Sequence, residues 1–478
     1  MNYSVIIYVI GLQLQFTAGF MMIPELVGNI YHEKNALYFL VVAAACLLIG
    51  TLLRLKKPKD RKMHAKEGMI IVALGWIVLS LVGAFPFFLS GEIPDYTDAV
   101  FETASGFTTT GASILKNVEA LSHCMLFWRS FTHWLGGMGV LVFILAITPS
   151  GADSMYLMKA ESPGPSVDKL VPRVRTTAFY LYAIYFAMTA AEVIILICGK
   201  MSVFDAFCLS FGTAGTGGFS TKASGIADYN VFCQTVITVF MMLFGVNFKV
   251  YFLLVCRKFK DALKAEEVKW YLGIYAAAVT IITLSIINSV GSFGKSLSQA
   301  SFQAASIMTT TGYATADFNL WGTLPQAILV MLMFIGACAG STGGGMKVSR
   351  VMIYFKQVKN EVSYLIHPRS VKRVTIDKKA LDDTTLRTAS AFIAAYFLIF
   401  GASFIAVCVD GFDFTSSFTS VAATINNIGP GLGTVGPYGG YADFSAPSKW
   451  VFIFDMITGR LEIFPMLILF TPSTWRRK

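Results

Sequence analysis

Thr309-Thr310-Thr311-Gly312-Tyr313-Ala314 is one of four related stretches that decide the fold. The others are Thr108-Thr109-Thr110-Gly111-Ala112-Ser113, Gly215-Thr216-Gly217-Gly218-Phe219-Ser220 and Asn426-Asn427-Ile428-Gly429-Pro430-Gly431. Aligned on Gly111, Gly218, Gly312 and Gly429, the four need no gap back to Asp98, Asp205, Gln299 and Ser416, 13 residues before each glycine. The next residue is small every time: Ala99, Ala206, Ala300, Ser417. A short segment rich in hydroxyls and glycine suits a backbone that turns its carbonyls toward a dehydrated cation.

The rest of the chain says where such segments would lie. It has 478 residues, 55% hydrophobic and only 14% charged, with mean hydropathy +0.63. That excludes a soluble domain of this size and predicts a polytopic membrane protein. The first apolar run starts at Tyr3 without a basic leader or a clear cleavage site. We therefore expect a spanning helix there rather than a signal peptide. A net charge of +10 could suit nucleic acid, but the basic residues cluster between apolar runs, as the positive-inside rule requires. The eight cysteines form no CxxC pair and lie in or beside apolar runs, which predicts free, packed thiols. The five histidines are scattered and form no HExxH, so a metalloenzyme has no support. No nucleophile stands with a base, and an enzyme is not expected.

Runs at 3–27 and 36–55 are each long enough to span a bilayer. A basic loop follows, with Arg54, Lys56, Lys57, Lys59, Arg61, Lys62 and Lys66. Then a pattern repeats four times: long run, short segment, long run. The first runs are about 68–90, 176–198, 270–290 and 388–409; the second are about 123–147, 230–255, 325–355 and 448–471. The segments between, 97–108, 203–214, 297–309 and 415–426, are too short to cross as helices and must be re-entrant. Thr97, Ser202, Ser296 and Thr415 are their candidate N-caps. Their C-terminal dipole ends would then face the membrane centre and favour a cation. The expected organisation is a two-helix region at 1–66, then pore units at 67–150, 151–262, 263–366 and 367–478. The fold class is an all-α polytopic membrane protein: two N-terminal helices plus four helix–re-entrant loop–helix units around one pore.

Charge sets an expected orientation. Loops after the second runs carry Lys159, Lys169, Arg173 and Arg175; Arg257, Lys258, Lys260, Lys264 and Lys269; then Lys356, Lys359, Arg369, Lys372, Arg373, Lys378, Lys379 and Arg387. The tail ends Arg476-Arg477-Lys478. The opposite loops hold only Lys34, Lys116, Lys200, Lys222, Lys295 and Lys449, with Glu92, Asp95, Asp98, Glu119, Asp228, Asp317, Asp410, Asp413 and Asp443. Both termini are therefore expected in the cytoplasm, with ten spanning helices and four glycine segments opening outward. The acids either form a vestibule that concentrates cations or are solvated loop residues.

The glycine segments read as one selectivity filter. Carbonyls of Thr109, Thr110 and Gly111, of Thr216, Gly217 and Gly218, of Thr310, Thr311 and Gly312, and of Asn427, Ile428 and Gly429 would replace the hydration shell of the ion. The threonine hydroxyls, with the Asn427 amide in the fourth unit, could add an inner oxygen ring. Tight turns or close helix contacts would explain any one such segment; four at repeating positions favour the filter. Gly336, Gly340, Gly343, Gly344 and Gly345 fall within ten residues of a run that should span. Each glycine costs about 1 kcal/mol against alanine in a helix, so a break is expected there, where a gate could lie; a glycine-lined packing face is the alternative. The stretch Gly340–Lys347 hints at a phosphate loop, but Met346 stands where that motif needs lysine, and no strand precedes it. Arg460, deep in the last run, would either set a positive barrier below the filter or pair with Glu462 or Asp455. Lys347 could join it. Arg129 is expected to clamp the filter loops.

These stretches, with Gly336-Ala337-Cys338-Ala339-Gly340-Ser341-Thr342-Gly343-Gly344-Gly345-Met346-Lys347, resemble the Trk/Ktr/HKT superfamily of potassium transporters. The two extra N-terminal helices look like its bacterial TrkH/TrkG branch. The resemblance covers nearly the whole chain. It implies potassium uptake across the bacterial inner membrane, one pore per subunit, a homodimer and an intramembrane gating loop at 336–347. It also implies a cytoplasmic TrkA-type nucleotide-binding regulatory subunit, with nucleotide on that partner and potassium alone held by this chain. Gly217 departs from the threonine or isoleucine at that place in the other units. A carrier coupled to protons or sodium is the alternative, but carriers typically repeat in two halves, not four equal units.

Overall fold

The computed structural model describes residues 1–58, 64–139, 174–369 and 373–475. Lys59, Arg61, Lys62, Lys159, Lys169, Arg173, Lys372, Arg476, Arg477 and Lys478, the end of the run at 123–147 and the expected boundary at 150 lie outside the described residues.

Two helices, Tyr3–Ile30 and Ala36–Arg54, form an N-terminal hairpin. They cross where Gly11 and Gly50 bring the backbones together: a Cβ on Gly50 would stand 2.6 Å from the Gly11 carbonyl oxygen. Small residues let apolar helices approach this closely. The hairpin docks on Ala65–Gly83, the start of the first unit, where buried Gln13 donates to the Gly75 carbonyl at 3.1 Å.

Each unit begins with a long apolar helix. These are Ala65–Gly83 continued by Phe85–Ser90, then Val174–Cys198, Glu266–Val290 and Asp383–Val407. The pore helices follow: Tyr96–Phe107, Val203–Gly215, Phe293–Met308 and Phe414–Ile425. Their caps differ in part from expectation. Asp95, Ser202 and Asp413 accept from the backbone N–H groups of Asp98, Asp205 and Ser416. Thr97 and Thr415 lie inside the first turn because the stronger carboxylate cap sits two residues earlier. In the third unit the helix starts a turn earlier than Ser296, after Ser292.

The second helices are shorter than the runs the sequence predicts. They run His123–Gly137, Val231–Phe244, Thr323–Ile335 and Ala446–Arg460, with 15, 14, 13 and 15 residues. Beyond Phe244 the chain turns by 91° into Phe248–Val255. Beyond Ile335 comes a loop to Lys347 and then Val348–Ile366; beyond Arg460 the chain resumes as Phe464–Phe470. Six described helices are long and apolar enough to cross a membrane, or seven if the bent pair counts as one. The break expected in the third unit alone is thus matched in the second and fourth. The cause is tertiary. Pore-helix ends dock against the second helices just there: a Cβ on Gly245 would stand 3.1 Å from Thr309 Cγ2, and one on Gly459 would overlap the Ile425 carbonyl oxygen. The freed backbone groups find partners, as burial in a membrane demands. Cys338 N–H reaches the Gly245 carbonyl at 3.1 Å and Phe248 N–H the Gly340 carbonyl at 3.0 Å.

Candidate ion-conducting site

Every pore helix ends in the same way. The N–H groups of Thr109, Thr216, Thr310 and Asn427 bond to the carbonyl three residues back, at Gly106, Thr213, Ile307 and Thr424. The next residues, Thr110, Gly217, Thr311 and Ile428, bond five residues back, to Ser105, Gly212, Ser306 and Ala423. This is a Schellman cap, whose first residue must be left-handed. The φ values there are +55°, +56°, +62° and +55°, and those of the aligned glycines are +78°, +78°, +83° and +91°. Left-handed residues thus flank one ordinary residue in each strand, which fixes the direction of its carbonyl. Glycine or asparagine usually takes a left-handed cap; three of these four are threonine, at a cost of about 1–2 kcal/mol each.

The four strands close into a ring. A Cβ on Gly111 would overlap the Gly217 carbonyl oxygen, one on Gly218 that of Thr311, and one on Gly312 that of Ile428. One on Gly429 would stand 2.7 Å from the Thr110 oxygen, returning to the first unit. So each glycine faces the next unit's middle carbonyl, in the order one, two, three, four, one. Thr110, Gly217, Thr311 and Ile428 supply those oxygens, and no side chain other than hydrogen fits at the glycines. Asn427 Nδ2 crosses the last seam to Thr110 Oγ1 at 3.0 Å and to the Met456 carbonyl at 2.8 Å.

The threonine and asparagine oxygens do not form one uniform inner ring. Thr109 Oγ1 and Asn427 Oδ1 are buried without a protein partner. Thr216 Oγ1 donates to the Gly215 carbonyl at 2.6 Å, and Thr310 Oγ1 accepts from Gly344 N–H at 2.6 Å. Each of these two oxygens keeps lone pairs of the kind a cation takes.

Different side chains prop the walls. Arg129, 3% exposed, bonds Glu102 at 2.5 Å and the Ser220 carbonyl at 2.9 Å, and lies 3.5 Å above the Phe219 ring. Glu102 also accepts from Ser113 Oγ and Ile114 N–H. This one ion pair ties the outer arms of the first two strands together. Tyr313 reaches the Leu209 carbonyl at 2.9 Å, and Tyr441 the Gly429 carbonyl at 2.8 Å. Outside the ring, the expected acids are engaged in local structure. Asp98 pairs with Lys449 at 2.6 Å and Asp443 with Lys116 at 2.7 Å, while Asp410 accepts from Ser445.

The loop at 336–347 lies against the pore-helix end of the ring. Gly336, Gly340, Gly345 and Lys347 have positive φ. A Cβ on Gly343 would stand 2.8 Å from the Thr309 carbonyl oxygen, and one on Gly344 would overlap that of Asn426. Gly345 N–H donates to the Asn426 carbonyl at 3.1 Å, and Lys347 donates to the Gly343 carbonyl. Glu267 holds the other side, accepting from Ala339 N–H at 2.6 Å and Ser349 N–H at 3.2 Å. Arg460 donates to Thr342 at 2.7 Å, and to Gly136 at 2.5 Å and Gly137 at 2.7 Å, all carbonyls. Glu462, an expected partner of Arg460, pairs with Arg350, while Asp455 accepts from Ser403 at 2.7 Å. Sequence reasoning missed Glu267 and His133: Glu267 sits in the charged stretch Lys264-Ala265-Glu266-Glu267-Val268-Lys269 and His133 beside Thr132 and near Arg129, so neither stands out by pattern.

A helical membrane protein with four re-entrant hairpins closed around one axis is a channel-like transporter by build. Residues 37–477 match the family TrkH, described as a cation transport protein. The chain is 39% identical over 485 residues to the Trk system potassium uptake protein TrkH of Escherichia coli (strain K12), covering 100% of both. It is 35% identical to the Trk system potassium uptake protein TrkG of the same strain, over 95% of each chain. The crystal structure of the potassium transporter TrkH from Vibrio parahaemolyticus superposes with TM-score 0.90 at 33% identity, covering 100% of both chains. The chain belongs to the TrkH family of cation transport proteins.

Proposed function

We propose that this chain takes up potassium through the ring and that the loop at 336–347 gates it. The closed ring of the Thr110, Gly217, Thr311 and Ile428 carbonyls carries the proposal. A bare alkali ion needs oxygens on all sides to replace its water, and a ring of backbone dipoles supplies them without a fixed charge that would trap it. The names of the relatives support potassium as the cargo. Thr109, Thr110, Gly111, Thr216, Gly217, Gly218, Thr310, Thr311, Gly312, Asn427, Ile428 and Gly429 form the filter. Gly336, Gly340, Gly343, Gly344, Gly345, Lys347 and Arg460 form the gate.

The ion sheds water at the ring, passes the left-handed caps and meets the loop. Arg460 adds positive charge beside Thr342, which opposes a cation while the loop is in place. Both termini face the cytoplasm, and a homodimer in the bilayer works with a TrkA-type regulatory subunit. That partner docks on the basic surface within 356–387 and carries any nucleotide. Four units about one axis favour conduction over a coupled carrier.

Rubidium uptake into proteoliposomes, with sodium as competitor, tests the filter. Gly312→Ser puts a side chain where Ile428 offers its carbonyl, so discrimination against sodium should fall. Unchanged discrimination removes this segment from the filter.

A further inference from the structure

The second strand of the ring is the only one whose middle residue is a glycine, since Thr110, Thr311 and Ile428 stand at the equivalent places. The space beside Gly217 is nevertheless full. A Cβ there would collide with the His133 imidazole, meeting Cε1 at 2.5 Å and lying closer still to Nδ1 and Cγ. His133 belongs to the second helix of the first unit and has no exposed surface. Its Nε2 accepts from Phe219 N–H at 3.3 Å, and its ring lies 4.2 Å from the Phe219 ring. The backbones touch as well: a Cβ on Gly215 would stand 2.7 Å from the His133 carbonyl carbon.

Arg129 lies four residues earlier, so both side chains leave one face of that helix. Together they hold a single strand at consecutive points: Gly217 by contact, Phe219 by its N–H and its ring, Ser220 by its carbonyl. Glycine is the residue with the most backbone freedom, and here its carbonyl belongs to the ring. The other walls rely on their own side chains at this level.

We infer that His133 is a positioning residue that fixes the Gly217 carbonyl in the ring, and through it the choice among alkali cations. The inference rests on the filter reading above. The histidine acts by shape and by accepting one backbone hydrogen bond, and it does not touch the ion.

The full chain in proteoliposomes, assayed for rubidium uptake against sodium, provides the test. His133→Ala should lower rubidium-over-sodium discrimination by about tenfold, while His133→Gln, which keeps an acceptor and much of the bulk, should stay within about twofold of the parent. Gly217→Ala should abolish uptake, and the double variant His133→Ala/Gly217→Ala should regain it, because the new methyl enters the space the ring left. Gly312→Ser runs beside them. If it alters discrimination while His133→Ala does not, the inference is overturned and the filter stands. If neither alters it, both fall. Should His133→Ala not accumulate in membranes, the Gly217→Ala pair decides: recovery in the double variant supports the inference, and no recovery overturns it.

Discussion

Arg460 donates to the Thr342 carbonyl oxygen at 2.7 Å, which ties the last unit's broken helix to the loop that interrupts the third. The same guanidinium holds Gly136 and Gly137 of the first unit. Hydrogen bonds from a charged donor contribute about 1.5–3 kcal/mol each. Arg460→Ala should therefore free the loop and raise rubidium flux by about tenfold, with selectivity intact because the ring is untouched. A variant that loses expression without gaining flux would assign Arg460 a purely structural role.

Thr310 joins the ring to the loop at 336–347 directly, since its Oγ1 accepts from Gly344 N–H. Thr310→Val keeps the shape and removes the acceptor. It leaves a buried N–H unpaired, at about 1–3 kcal/mol, in the state where the loop sits under the ring. Flux should rise while discrimination against sodium, measured in the same vesicles, is retained. A variant with parental flux would mean the bond does not hold the loop.

The Arg129–Glu102 pair is buried at 3% and 0% side-chain exposure. Removing one partner strands the other charge, which costs about 3–5 kcal/mol. Arg129→Met should give a clearly lower melting midpoint in detergent and less protein in the membrane. Glu102→Gln, which keeps an acceptor for Ser113 and Ile114, should lose less. Equal midpoints for parent and Arg129→Met would show that the clamp adds nothing to stability.

Asp413 caps the fourth pore helix from outside the spanning segments. Hydrogen bonds from the Ser416 side chain and backbone hold its carboxyl below the usual aspartate range. A depressed value adds stability above the unfolded value, and that share is lost as pH falls through the folded value. Asp413→Ala should cost about 1 kcal/mol near neutral pH and less once the parent's carboxylate is protonated. Melting curves at neutral and acid pH check this: a penalty that grows on acidification would contradict it.

The repeat was legible because its chemistry is local. Gly111, Gly218, Gly312 and Gly429 mark places where left-handed backbone is allowed, and a twelve-residue segment cannot span a bilayer. The break at 336–345 was legible for the same reason, through its glycines. The turns after Phe244 and Arg460 were not. Hydropathy treats Val231–Val255 and Ala446–Phe470 as ordinary spans, and only the docking of pore-helix ends ends them early. Caps two residues upstream, at Asp95 and Asp413, were passed over because Thr97 and Thr415 also suit the role. His133 carried no pattern of its own; its meaning comes from Gly217, 84 positions away along the chain.

One polypeptide supplies all the walls of this passage, and although the first and third share Thr-Thr-Thr-Gly, no two are identical throughout. In a channel of identical subunits every substitution arrives in quadruplicate, so a useful change at one quarter brings three unwanted copies. Here a mutation touches a single quarter. The opening can thus be adjusted piecemeal, with a histidine behind one side and a tyrosine behind another, while the remaining sides keep an ion moving.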